Sequence, residues 1–240
     1  MSTQPSALIS QIEIHDLVKR FHHQPVLNHL SLRIHDGEFC VLVGDNGAGK
    51  TTLLRILAGL VRPNHGEMTI CGSDPKSDHQ LRQTIGYVGH LPMFYQDLTA
   101  LENLAHYARL YQVGDVQCTV TQAIQAVGLT TYQGQPVRTL SRGMQQRLSL
   151  ARALLHQPSI LLFDEPYTGL DQAAAAFLDE TLQGLHTPGR TILLAAHHPQ
   201  RLLSIASHVA WLKDGVIHRH LSVDRLGEDP ELGRYLQEVG

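Results

Sequence analysis

The sequence predicts an α/β fold built on a mostly parallel sheet, and three observations lead to this fold class. Apolar runs of strand length alternate along the chain with segments that have helical spacing, as in βαβ units. Several of these apolar runs are continuous, which is typical of strands covered on both faces. The 240 residues are 42% hydrophobic and 17% charged, an ordinary balance for a globular protein that buries a core.

The predicted elements follow one another without an internal repeat or an obvious linker, so we expect a single domain over residues 1–240. The predicted strands are Ile12–Val18, Phe39–Val43, Thr84–Val88, Ile160–Phe163, Thr191–Ala196 and His208–Leu212. The predicted helices are Lys50–Ala58, Leu101–Tyr111, Cys118–Val127, Met144–Leu155 and Ala173–Leu185. Residues from about 91 to 139 contain two helical stretches and no strong strand, which indicates a helical subdomain inserted into the α/β core.

The composition argues against several classes of partner and site. A net charge of -3 gives no basic stripe for nucleic acid or for an anionic membrane surface. The three cysteines show no C-x-x-C spacing, so we expect neither structural zinc nor a disulfide framework, and a reducing cytosol fits best. Met1–Gln11 lacks the pattern of a signal peptide, and no apolar run approaches the roughly 20 residues that cross a bilayer. We therefore expect any membrane association to run through a partner.

Residues 44–51 match the phosphate-binding pattern G-x-x-x-x-G-K-[ST] and lie between a predicted strand and a predicted helix. The glycines let backbone N–H groups turn toward phosphate oxygens, and the N-terminus of the following helix favours the same anion. Lys50 is expected to bridge the β- and γ-phosphates, and the Thr51 hydroxyl to bind Mg²⁺. A purely structural Gly-rich turn is the alternative. The predicted nucleotide-binding residues of this segment are Gly44, Asp45, Asn46, Gly47, Ala48, Gly49, Lys50, Thr51 and Thr52.

A second apolar strand ends in a pair of carboxylates, Asp164 and Glu165. Beside a phosphate-binding loop, Asp164 is expected to hold Mg²⁺ and Glu165 to polarise the attacking water as the catalytic base. A buried strand that is followed by Asp-Glu at its solvent end is common by itself. Only the combination with the phosphate-binding loop makes this pair a candidate hydrolytic centre.

The segment Leu140–Arg147 reads Leu-Ser-Arg-Gly-Met-Gln-Gln-Arg and precedes a predicted helix. With this segment the chain resembles the ATP-binding cassette (ABC) family, whose signature reads L-S-G-G-Q. In that family the loop caps the ATP held by the opposite subunit. The resemblance implies this role for Ser141 and Gly143, whose hydroxyl and N–H at a helix N-terminus complement phosphate charge. An ordinary N-cap by Ser141 is the alternative, and both can hold because they use the same exposed donors.

The resemblance covers nearly the whole chain and implies one nucleotide-binding domain with a P-loop core, an N-terminal antiparallel β subdomain and the helical insert. Thr168–Asp171 matches the family's D-loop, which makes Asp171 a candidate binding residue. His197 matches the switch histidine that contacts the γ-phosphate and orients the water, and the strand register favours it over His198. Phe21 stands where the family has an aromatic ring against adenine, although a half-buried core aromatic is the alternative.

The chain departs from the family pattern at two points. Arg142 and Met144 replace the first Gly and the Gln of the signature, while its principal donors remain. His90 stands where the family usually has a Gln that reaches Mg²⁺ and the attacking water. An imidazole can serve both purposes until it is protonated, so His90 is a catalytic and metal-binding candidate, with a tolerated spacer as the alternative. The remaining histidines, including His22 and His23, follow no metal-ligand spacing and are expected in loops and on the surface.

The resemblance implies a head-to-tail homodimer or heterodimer that encloses two ATP molecules and drives an integral membrane permease from the cytoplasmic face of the membrane. A P-loop kinase or GTPase would not explain Leu140–Arg147, and the sequence has no N-K-x-D guanine motif. A non-transport cassette ATPase, in DNA repair or on the ribosome, usually has long coiled-coil insertions or two cassettes in one chain. This chain has one cassette and a short insert, so transport is favoured.

The residues after the third predicted strand bear on which transporter is served. Gly89-His90-x-Pro92, followed by Leu-Thr-Ala-Leu-Glu-Asn-Leu at residues 98–104, resembles the ATP-binding subunits of bacterial cytochrome c maturation exporters, which are associated with haem handling. Only the His discriminates, so an exporter for drugs, lipids or polysaccharide is the alternative. The surface near Leu91–Leu104, with Phe94 and Tyr95 as exposed candidates, is the expected dock for a permease helix. Those aromatics could instead fill the core of the subdomain.

Overall fold

The computed structural model of the chain describes residues 10–22, 24–90 and 92–239. Three expectations lie wholly or largely outside these residues. They are the start of the helical subdomain and of the permease dock at Leu91, the surface position of His23, and the absence of a signal peptide in Met1–Gln11, of which residues 1–9 are not described. The described residues form two β-sheets with helices packed around them.

The smaller sheet is antiparallel, with the strand order β2-β1-β4. Its strands are β1 (Ser10–Phe21), β2 (Gln24–His35) and β4 (His65–Ile70). The N-terminal antiparallel subdomain is thus confirmed, but only β1 was predicted as a strand, and too short. The apolar pattern of β1 and β2 is interrupted by register shifts and by the positive φ of His29 (54°), which hides the period of two from the sequence.

The larger sheet has the strand order β5-β6-β7-β3-β8-β9 and is parallel except for β9 at its edge. Its strands are β3 (Phe39–Val43), β5 (Ile85–Val88), β6 (Ile160–Asp164), β7 (Thr191–Ala195), β8 (His208–Lys213) and β9 (Val216–Ser222). Every residue of β3, β5, β6 and β7 is buried, as their continuous apolar sequences predict. The predicted α/β fold with a mostly parallel sheet is confirmed. The carboxyl ends of β3, β6 and β7 meet at one edge of this sheet.

Within the described residues, six α-helices accompany the sheets, and five of them begin with a side-chain cap of the kind that favours helix initiation. The helices are α1 (Lys50–Leu57), α2 (Ala100–Leu110), α3 (Val116–Ala126), α4 (Arg142–Leu154), α5 (Gln172–Leu185) and α6 (Pro230–Glu238). The caps of α2 to α6 are Thr99, Asp115, Ser141, Asp171 and Asp229. Short 3-10 helices span His79–Thr84, Thr130–Tyr132, Val137–Thr139 and Val223–Glu228.

Three hydrophobic clusters hold these elements together. The first lies between the antiparallel sheet, α1 and one face of the larger sheet, and the second packs α5 and α6 on the other face. The third belongs to the predicted helical subdomain, where α2 and α3 pack against Leu148 and Ala151 of α4. The packing unit therefore continues beyond residue 139. Since Leu150 and Ala153 of the same helix enter the second cluster, α4 joins the helical subdomain to the sheet.

A carboxylate and two imidazoles meet at the amino ends of β3 and β8. Glu38 is only 7% exposed, and its two oxygens lie 3.9 Å from His208 Nε2 and 3.7 Å from His220 Nε2. Burial raises the pKa of Glu38 to about 7 and lowers the pKa of His220 to about 4. The expectation of loop and surface positions is wrong for His35, His208 and His220, because each lies on a strand and is half-buried.

Candidate active site

The phosphate-binding segment forms the loop between β3 and α1, as predicted. Gly47 and Gly49 have φ values of +83° and +110°, a region that L side chains rarely adopt. A Cβ at Gly49 would also lie 2.7 Å from Leu27 Cδ2 and 2.9 Å from the Val26 carbonyl oxygen. The loop accordingly requires glycine at this position. Asp45, Asn46 and Gly47 are exposed, Ala48, Thr51 and Thr52 are half-buried, and Gly44, Gly49 and Lys50 are buried.

Lys50 is buried at the start of α1, and its ammonium group lies inside this loop. Its Nζ donates to the carbonyl oxygens of Gly44 at 2.6 Å and Asp45 at 3.1 Å. Burial lowers the pKa of Lys50, and the carboxylates of Glu165, Asp45 and Asp164 oppose that shift. The two carbonyls occupy the place that phosphate oxygens would take. A partly desolvated cation in a cradle of backbone groups suits an anionic ligand.

The two residues expected to hold Mg²⁺ are in contact. Thr51 Oγ1 donates to Asp164 Oδ1 at 2.7 Å, and Asp164 is fully buried at the end of β6. The sequence did not single out Tyr87, whose hydroxyl donates to the second oxygen, Oδ2, at 3.2 Å. Burial and the charge of Asp164 raise the pKa of Tyr87 to about 12, so the phenol stays a donor. One carboxylate and one hydroxyl beside a phosphate cradle fit Mg²⁺, which binds few protein oxygens and completes its shell with phosphate and water.

The candidate catalytic pair, Glu165 and His197, is also assembled. His197 Nε2 lies 2.7 Å from Glu165 Oε1, and both side chains keep partial solvent access at 32% and 20% exposure respectively. Since the carboxylate accepts, the Nε2 atom carries the proton in this contact. Glu165 has a φ of +53°, a strained conformation for a non-glycine residue, and its N–H donates to the Ala195 carbonyl. The neighbouring His198 lines the same cavity as His197, but its Nδ1 lies 2.8 Å from the Val239 carbonyl oxygen. The catalytic role of His197 stays a prediction.

Two cavities meet at Glu165. The larger, of about 480 Å³, is lined by Asn46, Glu165 and His197 among others and opens onto the phosphate-binding loop. The smaller, of about 240 Å³, is lined by Glu165 together with His90 and Arg142. His90 is exposed and shares this cavity with the candidate base. Its catalytic and metal-binding roles stay predictions. Glu165 has access to solvent from both sides.

Phe21 ends β1 at the tip of the β1–β2 hairpin, and its ring is 45% exposed. It is therefore no core aromatic, which was the alternative from sequence. The Lys19 ammonium lies 4.8 Å from the ring centroid, a cation–π distance. The same hairpin brings Val26 against Gly49 of the phosphate-binding loop. An exposed ring on a strand next to that loop is available for a nucleobase, although adenine stacking itself stays a prediction.

The predicted signature and D-loop residues lie at the starts of α4 and α5. Ser141 is exposed and accepts from the Met144 N–H at 3.2 Å, and Asp171 accepts from the Ala174 N–H at 2.8 Å, so both are N-caps. Arg142 packs on Gly169, where an added Cβ would lie 2.6 Å from the guanidinium carbon. The two segments are thus in contact within one chain. The roles of Ser141, Gly143 and Asp171 toward a nucleotide of a second subunit stay predictions.

Two further searches cover only the part of the chain that the structure describes. Within it, no three His, Cys, Asp or Glu side chains group in a way that could hold a metal ion. No helix among residues 10–22, 24–90 and 92–239 is long and apolar enough to span a membrane.

Comparison with known proteins gives consistent matches. Residues 27–168 match the ABC transporter family. The chain is 33% identical over 231 residues to YdbJ of Bacillus subtilis (strain 168), an uncharacterized ABC transporter ATP-binding protein, covering 95% of this chain and 74% of that protein. It is 34% identical to the Nod factor export ATP-binding protein I of Cupriavidus pinatubonensis, covering 87% and 65%. The dimeric ATP-binding cassette MJ0796, in a post-hydrolysis state bound to ADP and Pi, matches with a TM-score of 0.81 at 25% identity, covering 88% and 98%.

Proposed function

Because the chain belongs to the ABC transporter family and is an ATP-binding subunit with ATPase activity, we propose that it hydrolyses MgATP to drive export through a separate membrane permease. The observation that carries the hydrolytic part is the Glu165–His197 contact at 2.7 Å beside the phosphate-binding loop. A base held by a second group at the mouth of a phosphate cradle is the arrangement that water activation needs. The export direction rests on family likeness.

The chain's own residues account for the hydrolytic step. When a nucleotide binds, Lys50 Nζ would donate to phosphate oxygens in place of the carbonyl oxygens of Gly44 and Asp45. Its positive charge would then stabilise the negative charge that these phosphate oxygens carry in the transition state. Thr51 and Asp164 would hold Mg²⁺, which when bound would neutralise charge on the β- and γ-phosphates. Glu165 would accept a proton from the attacking water. His197 Nε2–H contacts Glu165, and His197 lines the adjoining cavity, where it would donate to a γ-phosphate.

A second subunit would complete the site. The MJ0796 cassette is described as a dimer bound to ADP and Pi, which supports the same arrangement here. Ser141 is exposed at the N-terminus of α4, where free N–H groups and the helix dipole favour an anion. A Ser141 loop from each subunit would then cap the nucleotide of the other. When the two subunits close on the nucleotides, the contact of Arg142 with Gly169 would move the D-loop together with the Ser141 loop.

A small exposed apolar patch is the proposed dock for the permease. We define the apolar patch as Met93, Tyr95, Leu98 and Leu101, each more than a third exposed. Tyr95 is 56% exposed, whereas Phe94 is half-buried in the helical subdomain, so only one of the two candidate aromatics is free for a partner. Buried Asn103 holds the patch in shape through hydrogen bonds to the backbone of Tyr95 and Leu98. An apolar helix from a membrane subunit fits such a surface.

The cargo class is carried by weaker observations. The resemblance of Gly89-His90-x-Pro92 to cytochrome c maturation exporters is the feature that favours the haem export system. The relatives named above include a Nod factor export ATP-binding protein and no haem exporter, which favours a different exporter. We propose that the chain serves an exporter. The haem system is the first candidate for its cargo pathway, and drug, lipid or polysaccharide export is the second.

Recovery of this subunit from native membranes in mild detergent, followed by mass spectrometry of its partners, tests the proposal. A variant with Tyr95→Asp and Leu98→Asp in the apolar patch is the matched control, since it should lose the permease while ATP binding is retained. Cytochrome c maturation membrane subunits would support the haem system. Another permease would support export of a different cargo, and no membrane partner in either sample would contradict the transporter assignment.

A further inference from the structure

The C-terminal helix α6 is firmly attached to the core. The Asp229 side chain caps its first turn by accepting from the N–H groups of Glu231 and Leu232 at 3.1 and 3.0 Å. Leu232 and Leu236 are buried in the second hydrophobic cluster beneath the sheet. The stacking of Tyr235 on Trp211 of β8, with 4.8 Å between the ring centroids, adds a third contact. The helix is therefore a fixed body relative to the sheet.

The other end of α6 carries backbone carbonyls that the helix itself cannot satisfy, as at every helix C-terminus. Two of them accept from side chains of the loop after β7. His198 Nδ1 lies 2.8 Å from the Val239 carbonyl oxygen, and Gln200 Nε2 donates to the Leu236 carbonyl oxygen. A carbonyl only accepts, so His198 carries a proton on Nδ1. Residues 198 and 200 thus cap α6 from outside.

The same short loop carries His197, whose side chain contacts a different partner. Its Nε2 contacts Glu165 at 2.7 Å, and the preceding Ala196 N–H donates to the Leu42 carbonyl of β3. His197 is accordingly held by the sheet on one side and, through its neighbours, by α6 on the other. A histidine that must address both a carboxylate and a phosphate needs such fixing, because about 1 Å of misplacement can cost a hundredfold in rate.

We infer that α6 fixes the loop after β7, which carries residues 197–200, and that His198 and Gln200 are positioning residues for His197. This rests on the role of His197 under the proposed function. The rival explanation is that the two side chains merely stabilise the end of a helix. That role would alter stability without a separate effect on turnover, whereas positioning alters kcat while leaving ATP binding through Lys50 and the phosphate-binding loop intact.

The test compares steady-state ATP hydrolysis of the full chain in the double variant His198→Leu/Gln200→Leu with that of the wild type. We expect kcat to fall by about tenfold with KM for ATP within about twofold, since only part of the positioning is lost. Two single variants keep Gln200. His198→Leu should lower kcat, whereas His198→Asn keeps a donor at the Nδ1 position and should retain most of the wild-type kcat. Gln237→Leu, on the exposed face of the same helix, is the matched control and should behave as wild type.

Three results would overturn the inference: an unchanged kcat in the double variant, equal losses in His198→Asn and His198→Leu, or a loss of kcat that vanishes on cooling and follows Tm. The variant His197→Ala separates this failure from that of the proposed function. If His197→Ala abolishes hydrolysis while the double variant is active, only the role of α6 is wrong. If His197→Ala is itself fully active, the role of His197 is wrong as well.

Discussion

Replacing Glu38 by Gln should stabilise the protein in a way that depends on pH. The carboxyl group is 7% exposed, and burial raises its pKa from 4.5 to about 7. An acid whose pKa is higher in the folded state binds protons more tightly there. The free energy of unfolding therefore falls as the pH rises from the unfolded value near 4.5 to the folded value near 7. Glutamine has nearly the same shape and carries no charge at any of these pH values.

The shift sets the size of the effect. Linkage gives a gain for Glu38→Gln of about 1 kcal/mol at pH 5 that grows to about 3 kcal/mol above pH 8. His208 and His220 act with the opposite sign, because burial lowers the pKa of both and takes that of His220 to about 4, so stability is lost as the pH falls below 6.5. Both imidazoles lie within 4 Å of Glu38, so the difference between the two proteins at each pH measures the carboxyl group together with its coupling to them.

Urea titrations of both proteins between pH 5 and pH 8.5 measure the difference in the free energy of unfolding. Equal slopes of that free energy against urea concentration would show that the two proteins expose the same surface on unfolding. Glu67→Gln, which changes an exposed carboxylate on the antiparallel sheet, is the control. A stability difference between Glu38→Gln and wild type that stays constant over this range would refute the reasoning. It would mean that the buried carboxylate is ionised, with compensation from the surrounding imidazoles, in the folded state.

Three other predictions concern the active site and the backbone. Glu165→Gln should bind ATP yet lose hydrolysis by about 10²–10⁴-fold, because an amide accepts no proton, and unchanged phosphate release would remove Glu165 as the base. His90→Gln should retain hydrolysis, because the resemblance places Gln at this position, and a large loss of phosphate release would contradict a role that the two side chains share. Gly66→Ala should destabilise the fold by about 2 kcal/mol or more, since a Cβ there would lie 2.5 Å from the Asp16 carbonyl oxygen at a φ of +99°. Gly134→Ala, in open space, should be neutral in the same urea assay.

Local pattern was enough to predict the strands and motifs that carry the site. Strands β3, β6 and β7 are continuous apolar runs, and the phosphate-binding loop, Asp164–Glu165 and His197 each follow one of them directly. Because parallel strands end at one edge, finding these strands was sufficient to bring the residues together. Strands β2, β4 and β9 escaped prediction because they are half-exposed or interrupted by bulges, so neither a continuous apolar run nor clean alternation marks them.

The features that the sequence did not reveal depend on contacts between distant segments. Tyr87 reaches Asp164 only because β5 lies beside β6 in the sheet, an order that no local pattern encodes. Glu38 meets His220 because β9 folds back antiparallel on β8. The exposure of Phe21 and the partial burial of Phe94 could likewise not be separated, since neither aromatic lies in a run with strand or helix periodicity. Spacing rules capture local neighbours, and these pairs are neighbours only in the folded chain.

The position of β3 in the sheet also bears on how the protein is made. Its two neighbours are β7 and β8, so that Phe39 pairs with Ile192 and Cys40 with His208. A ribosome that adds about 5–20 residues per second needs roughly 8–30 s to make the intervening chain of about 150 residues. During that time one of the most apolar segments of the protein has no partner strand, which makes it a natural client for a chaperone. The phosphate-binding loop at its end stays detached from Asp164 and His197 until β7 has been made, and so a nascent chain shorter than this cannot assemble the hydrolytic site.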